Sequence, residues 1–185
     1  MRYLYLLTLL FFSSGLAQAQ SDEQPVKRYM GTVELGYLYG NNKQHDVDNF
    51  VAAPTVTLFN GIRLHRLLAI GATTGFDFYN NLLITPFALG IRGEMLNTRI
   101  SPIYSIDAGY GSSFLSHESD NEKKEGGWMF NPALGFRVRS GNSTAYTFAA
   151  GYKTQKAETV SSWGHSFTEQ KITFKRLSVQ LGFMF

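Results

Sequence analysis

The chain has 185 residues, a formal net charge of +3, 44% hydrophobic and 15% aromatic residues, 18 glycines and no cysteine. That length suits one domain. The missing cysteines exclude a disulfide framework and a lipoprotein anchor, and Lys and Arg scattered without runs give no nucleic-acid footprint.

Residues 1–19 read as a secretory signal peptide: a basic start at Arg2, an apolar run, then the small-residue site Ala17-Gln18-Ala19. No stretch approaches the roughly 20 apolar residues of a transmembrane helix. Residues 20–28 are polar and read as a periplasmic N-terminal tail, which leaves 29–185 as the folded domain.

From residue 29 onward, segments of period-two alternation follow one another, the period of a β-strand. The first, 29–40, sets Tyr29, Val33, Leu35, Tyr37 and Tyr39 against Thr32, Glu34 and Gly36. A polar loop is expected at 41–49. The second, 55–64, sets Val56, Leu58, Ile62 and Leu64 against Thr57, Phe59, Gly61 and Arg63, and a tight turn at His65-Arg66 leads into the third, 67–79. There Leu68, Ile70, Phe76 and Phe78 oppose Gly71, Thr73, Gly75 and Asp77.

Asn80-Asn81 turns the chain into the fourth segment, 82–96, with Phe87, Leu89 and Ile91 against Gly90, Arg92 and Glu94. The fifth, 100–114, has Tyr104, Ile106 and Tyr110 opposite Ser105, Asp107 and Gly109. A charged loop is expected at 116–127. The sixth, 128–139, places Trp128, Phe130, Leu134, Phe136 and Val138 against Asn131, Gly135, Arg137 and Arg139. Ser140-Gly141-Asn142-Ser143 is a turn. The seventh, 144–156, sets Tyr146, Phe148 and Tyr152 against Gly151, Lys153 and Gln155, and a third long loop is expected at 157–170. The last alternates Leu177, Val179, Leu181, Phe183 and Phe185 with Arg176, Ser178, Gln180, Gly182 and Met184.

Eight strands with tight connections on one side and longer ones on the other have the asymmetry of a membrane barrel. Alternation by itself also suits a soluble lipocalin-like barrel, apolar inside. The polar face decides between them. It carries Gly36, Gly61, Gly71, Gly75, Gly90, Gly109, Gly111, Gly135, Gly151 and Gly182. Glycine weakens a solvated strand, whereas a narrow eight-stranded lumen holds little side-chain volume. The fold class expected is therefore all-β, an eight-stranded antiparallel up-and-down transmembrane β-barrel with its apolar face outward and aromatics gathered near both strand ends. Pro132, mid-strand in the apolar register, cannot donate to the ladder and calls for a bulge or a position above the membrane, and Pro86 raises the same question more mildly.

The closing alternation that ends on Phe185 resembles the final strand of Gram-negative outer-membrane barrels, and the mature chain is similar to the small OmpX and OmpA-transmembrane type and to porin-like barrels of Bacteroidota. The resemblance implies residence in the cell outer membrane. It also implies contact with outer-membrane lipids and lipopolysaccharide, and recognition of Leu177, Val179, Leu181, Phe183 and Phe185 by the barrel assembly machinery. A monomer is expected.

The inward charges Glu34, Asp77, Glu94 and Asp107 face Arg63, Arg92, Arg137, Arg139, Lys153 and Arg176. Charges in a narrow barrel must pair, because an unpaired buried ion costs several kcal/mol. The function expected is structural or surface interaction through outward loops, with a narrow porin-like channel or a lipid A-modifying enzyme as alternatives. For the enzyme, His117-Glu118-Ser119 and His165-Ser166 with Glu169 are the candidate fragments, yet they sit in predicted loops, without the rigid nucleophile–base placement catalysis needs. His45, Asp46 and Asp48 fall short of metal-site spacing. No catalytic residue, metal or cofactor is assigned.

Overall fold

The computed structural model describes residues 28–44, 47–79, 82–115, 122–141, 144–163 and 166–185. The signal segment and most of the predicted N-terminal tail lie outside them. The described strands are β1 Tyr29–Gln44, β2 Val47–His65, β3 Leu68–Tyr79, β4 Leu82–Glu94, β5 Ile100–Ser112, β6 Glu122–Glu125, β7 Gly127–Arg139, β8 Ala145–Trp163 and β9 Ser166–Met184. All pairings are antiparallel and join sequence neighbours around the wall, and β9 returns to β1 from Thr32↔Met184 to Tyr39↔Leu177. The short β6 continues the line of β7 along β8 after a break at Gly126, with the register against β8 displaced by one residue. Eight staves therefore close the barrel.

The closure is staggered. Followed once round the wall from Leu38 through Ser178, Gly151, Ala133, Ser105, Arg92, Ala69 and Arg63, the ladder returns to β1 at Arg28, ten residues from its start. Such a shear tilts the strands and fixes a narrow interior. Apart from Leu38, which is apolar but fully buried, each residue on this circuit belongs to the small or polar set, so a single parity faces inward on every stave.

The outer face is apolar. Leu89 is 73% exposed, Trp128 66%, and Leu134 and Leu181 65% each. Exposure of so many large hydrophobics has no counterpart in a water-soluble monomer and excludes the lipocalin-like alternative. Near the turn end, aromatics touch in series: Tyr146 packs on Phe183 at 5.6 Å, and Phe183 and Tyr29 flank Phe185 at 6.3 and 6.2 Å. At the other end Phe87 stacks on Phe114 at 6.2 Å. These are the two girdles of a membrane barrel.

Three expectations about loops are corrected. Residues 41–49, expected as a loop, are mostly strand, because β1 runs to Gln44 and β2 begins at Val47. Within 116–127, Glu122–Glu125 forms β6. Within 157–170, β8 continues to Trp163 and β9 begins at Ser166, with a ladder unbroken to the tip. The physical reason is common to all three. Alternation of hydrophobicity reports contact with lipid on one face, whereas backbone pairing needs no such alternation, so the strands persist where the pattern vanishes. The turn expected at His65-Arg66 falls at Arg66-Leu67, with a register shift between Arg63 and His65.

Both prolines lie at interruptions of a ladder. The β7–β8 pairing skips from Phe130↔Thr154 to Ala133↔Gly151 around Pro132, and β3–β4 skips from Thr74↔Phe87 to Asp77↔Ile84 around Pro86. The register on either side is unchanged. Each proline, lacking an amide hydrogen, therefore costs its strand local bonds without displacing the chain.

Candidate functional site

Side chains converge in the lumen. Toward the turn end, Glu94 accepts from two arginines: Arg63 Nη2 at 2.9 Å and Arg137 Nη1 at 3.0 Å. Arg92 follows, its Nη1 donating to Asp107 Oδ2 at 3.0 Å and its Nη2 in ionic contact with Glu34 at 3.8 Å. Thr73 Oγ1 donates to the second Asp107 oxygen at 2.6 Å, and the Arg92 guanidinium lies 4.8 Å over the Phe59 ring. Closer to the loop end, Lys153 pairs with Asp77, which also accepts from Thr55 Oγ1 at 2.7 Å. These carboxylates come from four different staves and meet because the stagger brings residues distant in sequence to one level.

Small residues make this possible. A Cβ on Gly90 would lie 2.6 Å from Thr73 Oγ1 and 2.7 Å from Asp107 Oδ1, so any larger residue there would displace the group that fixes Arg92.

Arg176 differs from the other lumen cations. It is buried, and among the described residues no carboxylate pairs with it. Its Nη1 donates to the Gly40 carbonyl at 2.9 Å and to the Val51 carbonyl at 3.1 Å, a directly opposed pair of β1 and β2. Tyr79 and Phe174, stacked at 4.5 Å, lie under the guanidinium at 5.9 and 5.8 Å. Arg139, expected in the network, is exposed at the rim and donates to Asn97 Oδ1 at 3.2 Å. At the strand terminus its inward parity opens to solvent.

Several participants carry no charge and were read from the sequence only as members of the polar face. Gln180 Nε2 donates to Thr57 at 3.1 Å, and Gln155 Nε2 donates to the Lys156 carbonyl at 2.7 Å. Apolar residues close both ends of this polar column. Met30, Phe59, Ala69, Ala145 and Met184 cluster at the turn end, and Leu38, Ala53, Tyr79, Ile84 and Ala157 with Leu82 and Phe174 at the loop end. The only available signal was a lapse in alternation, such as Leu38 between Tyr37 and Tyr39.

The result is a filled interior. Asp77 and Asp107 are 0% and 1% exposed, so water does not reach them along the axis. The space between Glu34, Arg92 and Glu94 amounts to about 10 Å³, room for about one water molecule. Among the described residues no group of three potential ligands gathers as a metal site. His45, Asp46, His117, Glu118, Ser119 and His165 lie outside the described residues. Leu177, Val179, Leu181, Phe183 and Phe185 fall on the outward parity of β9 and its terminus, and Phe185 exchanges both backbone hydrogen bonds with Gly31 at 2.9 and 3.0 Å.

No protein-family model matches the sequence, nor does any curated protein. Solved structures do resemble the fold. The outer membrane protein OprG from Pseudomonas aeruginosa superposes with a TM-score of 0.63 at 12% identity, over 88% of this chain and 98% of that one. The outer membrane protein AlkL in lipid bilayers gives 0.56 at 14% identity, over 90% and 93% of the two chains. Neisserial surface protein A gives 0.54 at 7% identity, over 88% and 98%. Closed barrel, lipid-facing exterior and filled lumen together define the class: this is a small eight-stranded outer-membrane β-barrel. At these identities the likeness concerns the fold, and the chain's activity must be argued from its own residues.

Proposed function

We propose that this protein is a non-conducting outer-membrane barrel that acts as a structural and surface-interaction element, presenting its β1–β2 and β8–β9 hairpins beyond the bilayer. The observation that carries this reading is the sealed lumen. Its carboxylates are matched by cations within the wall, and apolar clusters close the column at both ends. An ion entering it would have to break a buried pair, which costs about 3–5 kcal/mol when one partner is lost.

The reading is tested by reconstituting the purified barrel in planar bilayers. The expected result is an unchanged baseline at moderate voltage. Steady, well-defined conductance steps would replace it with the narrow-channel alternative. The enzyme alternative has a separate readout: lipid A mass profiles that change on expression, and cease to change in His117→Ala or His165→Ala, would support it.

A further inference from the structure

Around the outer rim, the outward positions of β2 to β5 nearest the girdle carry Pro54, Phe76, Phe78, Leu83, Tyr110 and Ser112, none of them basic. On β8 and β9, Lys156 and Lys175 occupy outward positions of the loop-side half, and both are exposed. They are neighbours. Lys175 pairs with Thr154 and Lys156 with Thr173, so the two lysines are diagonal on one face of an antiparallel ladder, about 7–8 Å apart.

Their height is set by the girdle. Tyr152 and Leu177, 50% and 51% exposed, form the outward cross-strand pair immediately beneath. Lys175 is one outward step above Leu177 and Lys156 two above Tyr152. On β7, Phe130 pairs with Thr154, which places the exposed Trp128 alongside Lys156. Aromatic residues of this kind mark the level of the lipid headgroups, and cations directly above them stand where lipid phosphates lie. Among the described residues, no carboxylate pairs with either lysine.

We infer that Lys156 and Lys175, flanked by Trp128 and Tyr152, form a site for the phosphorylated headgroup of the outer-leaflet glycolipid, lipopolysaccharide. Two ammonium groups at this spacing straddle one phosphate, while the ring of Trp128 and the body of Tyr152 rest on the sugar and acyl boundary. The barrel therefore carries a bound lipid on its β7–β9 side.

The test is native mass spectrometry of the full barrel released from nanodiscs that contain bis-phosphorylated lipid A or the same lipid with its phosphates removed. The parent protein is expected to retain the phosphorylated form selectively. Lys156→Gln and Lys175→Gln should each reduce retention about fivefold, about 1 kcal/mol per lysine near an anionic surface, and the Lys156→Arg, Lys175→Arg double variant should keep it. Both side chains are exposed, so these variants fold, and heat-modifiable migration in gels verifies that. Equal retention by parent and Gln double variant, or no preference for the phosphorylated lipid, would overturn the assignment.

Discussion

Arg176 of β9 reaches across the barrel seam and donates to the carbonyl of Gly40 on β1 at 2.9 Å, one residue above the last β1–β9 ladder pair, Tyr39↔Leu177. Where the backbone bonds of the seam end, a side chain takes their place. The contact needs glycine, since a Cβ at residue 40 would come within 2.5 Å of Arg176 Cδ and 2.8 Å of the Lys175 carbonyl oxygen.

Two substitutions probe that clasp. Arg176→Ala leaves the Gly40 and Val51 carbonyls without their donor and should destabilise by about 1–3 kcal/mol. Gly40→Val overfills the same place and should cost about 1–3 kcal/mol. Urea unfolding in lipid vesicles, followed by tryptophan fluorescence, measures both. Because they damage one contact, their effects should fall short of additive; full additivity would separate the glycine from the arginine.

The Lys153–Asp77 pair allows a sharper comparison. Asp77→Asn leaves a buried ammonium without a carboxylate and should cost about 3–5 kcal/mol, whereas Asp77→Asn combined with Lys153→Met should recover most of that loss. A double variant as unstable as the single one would show that the loss does not come from the unpaired ammonium.

The lipid-facing surface has its own prediction. Leu89, 73% exposed in the middle of β4, should cost about 2–4 kcal/mol as Leu89→Arg if the bilayer midplane lies there. Equilibrium folding into vesicles provides the number. A cost near zero would move the midplane away from Leu89.

Phe185 is 44% exposed, and its backbone is already held by Gly31. Phe185→Ala is therefore expected to change the stability of refolded protein by less than about 1 kcal/mol, within the usual range for an exposed site, while lowering the folded amount in the outer membrane of cells. That pattern would attach the residue to the assembly machinery. Equal losses in both settings would make it structural only.

The lipid-embedded part of this fold was legible because the bilayer writes its presence into every second residue: Val33, Leu35 and Tyr37 on β1 are enough to fix a face. The ends of β8 and β9 were not, since the sequence around Thr159, Ser161 and Thr168 carries no alternation of hydrophobicity. Within the lumen, the charged members were visible as types and parities, but their partners were not. That Glu94 serves Arg63 and Arg137 depends on the stagger of the wall, a property of all the registers together. Arg139 misled for a related reason: parity assigns a face, and only the position of the strand end assigns depth.

The seam joins the first strand of the barrel to the last, so the order of events in folding is constrained by it. Until β9 arrives, β1 and β8 each present a row of amides and carbonyls without partners, and hydrocarbon offers none. A partly threaded barrel has no resting state inside the bilayer. Insertion must therefore be concerted with closure or guarded until the end of the chain is in place. The contacts that join Phe185 to Gly31 and Arg176 to Gly40 then mark completion, the point at which the last open edge is paired.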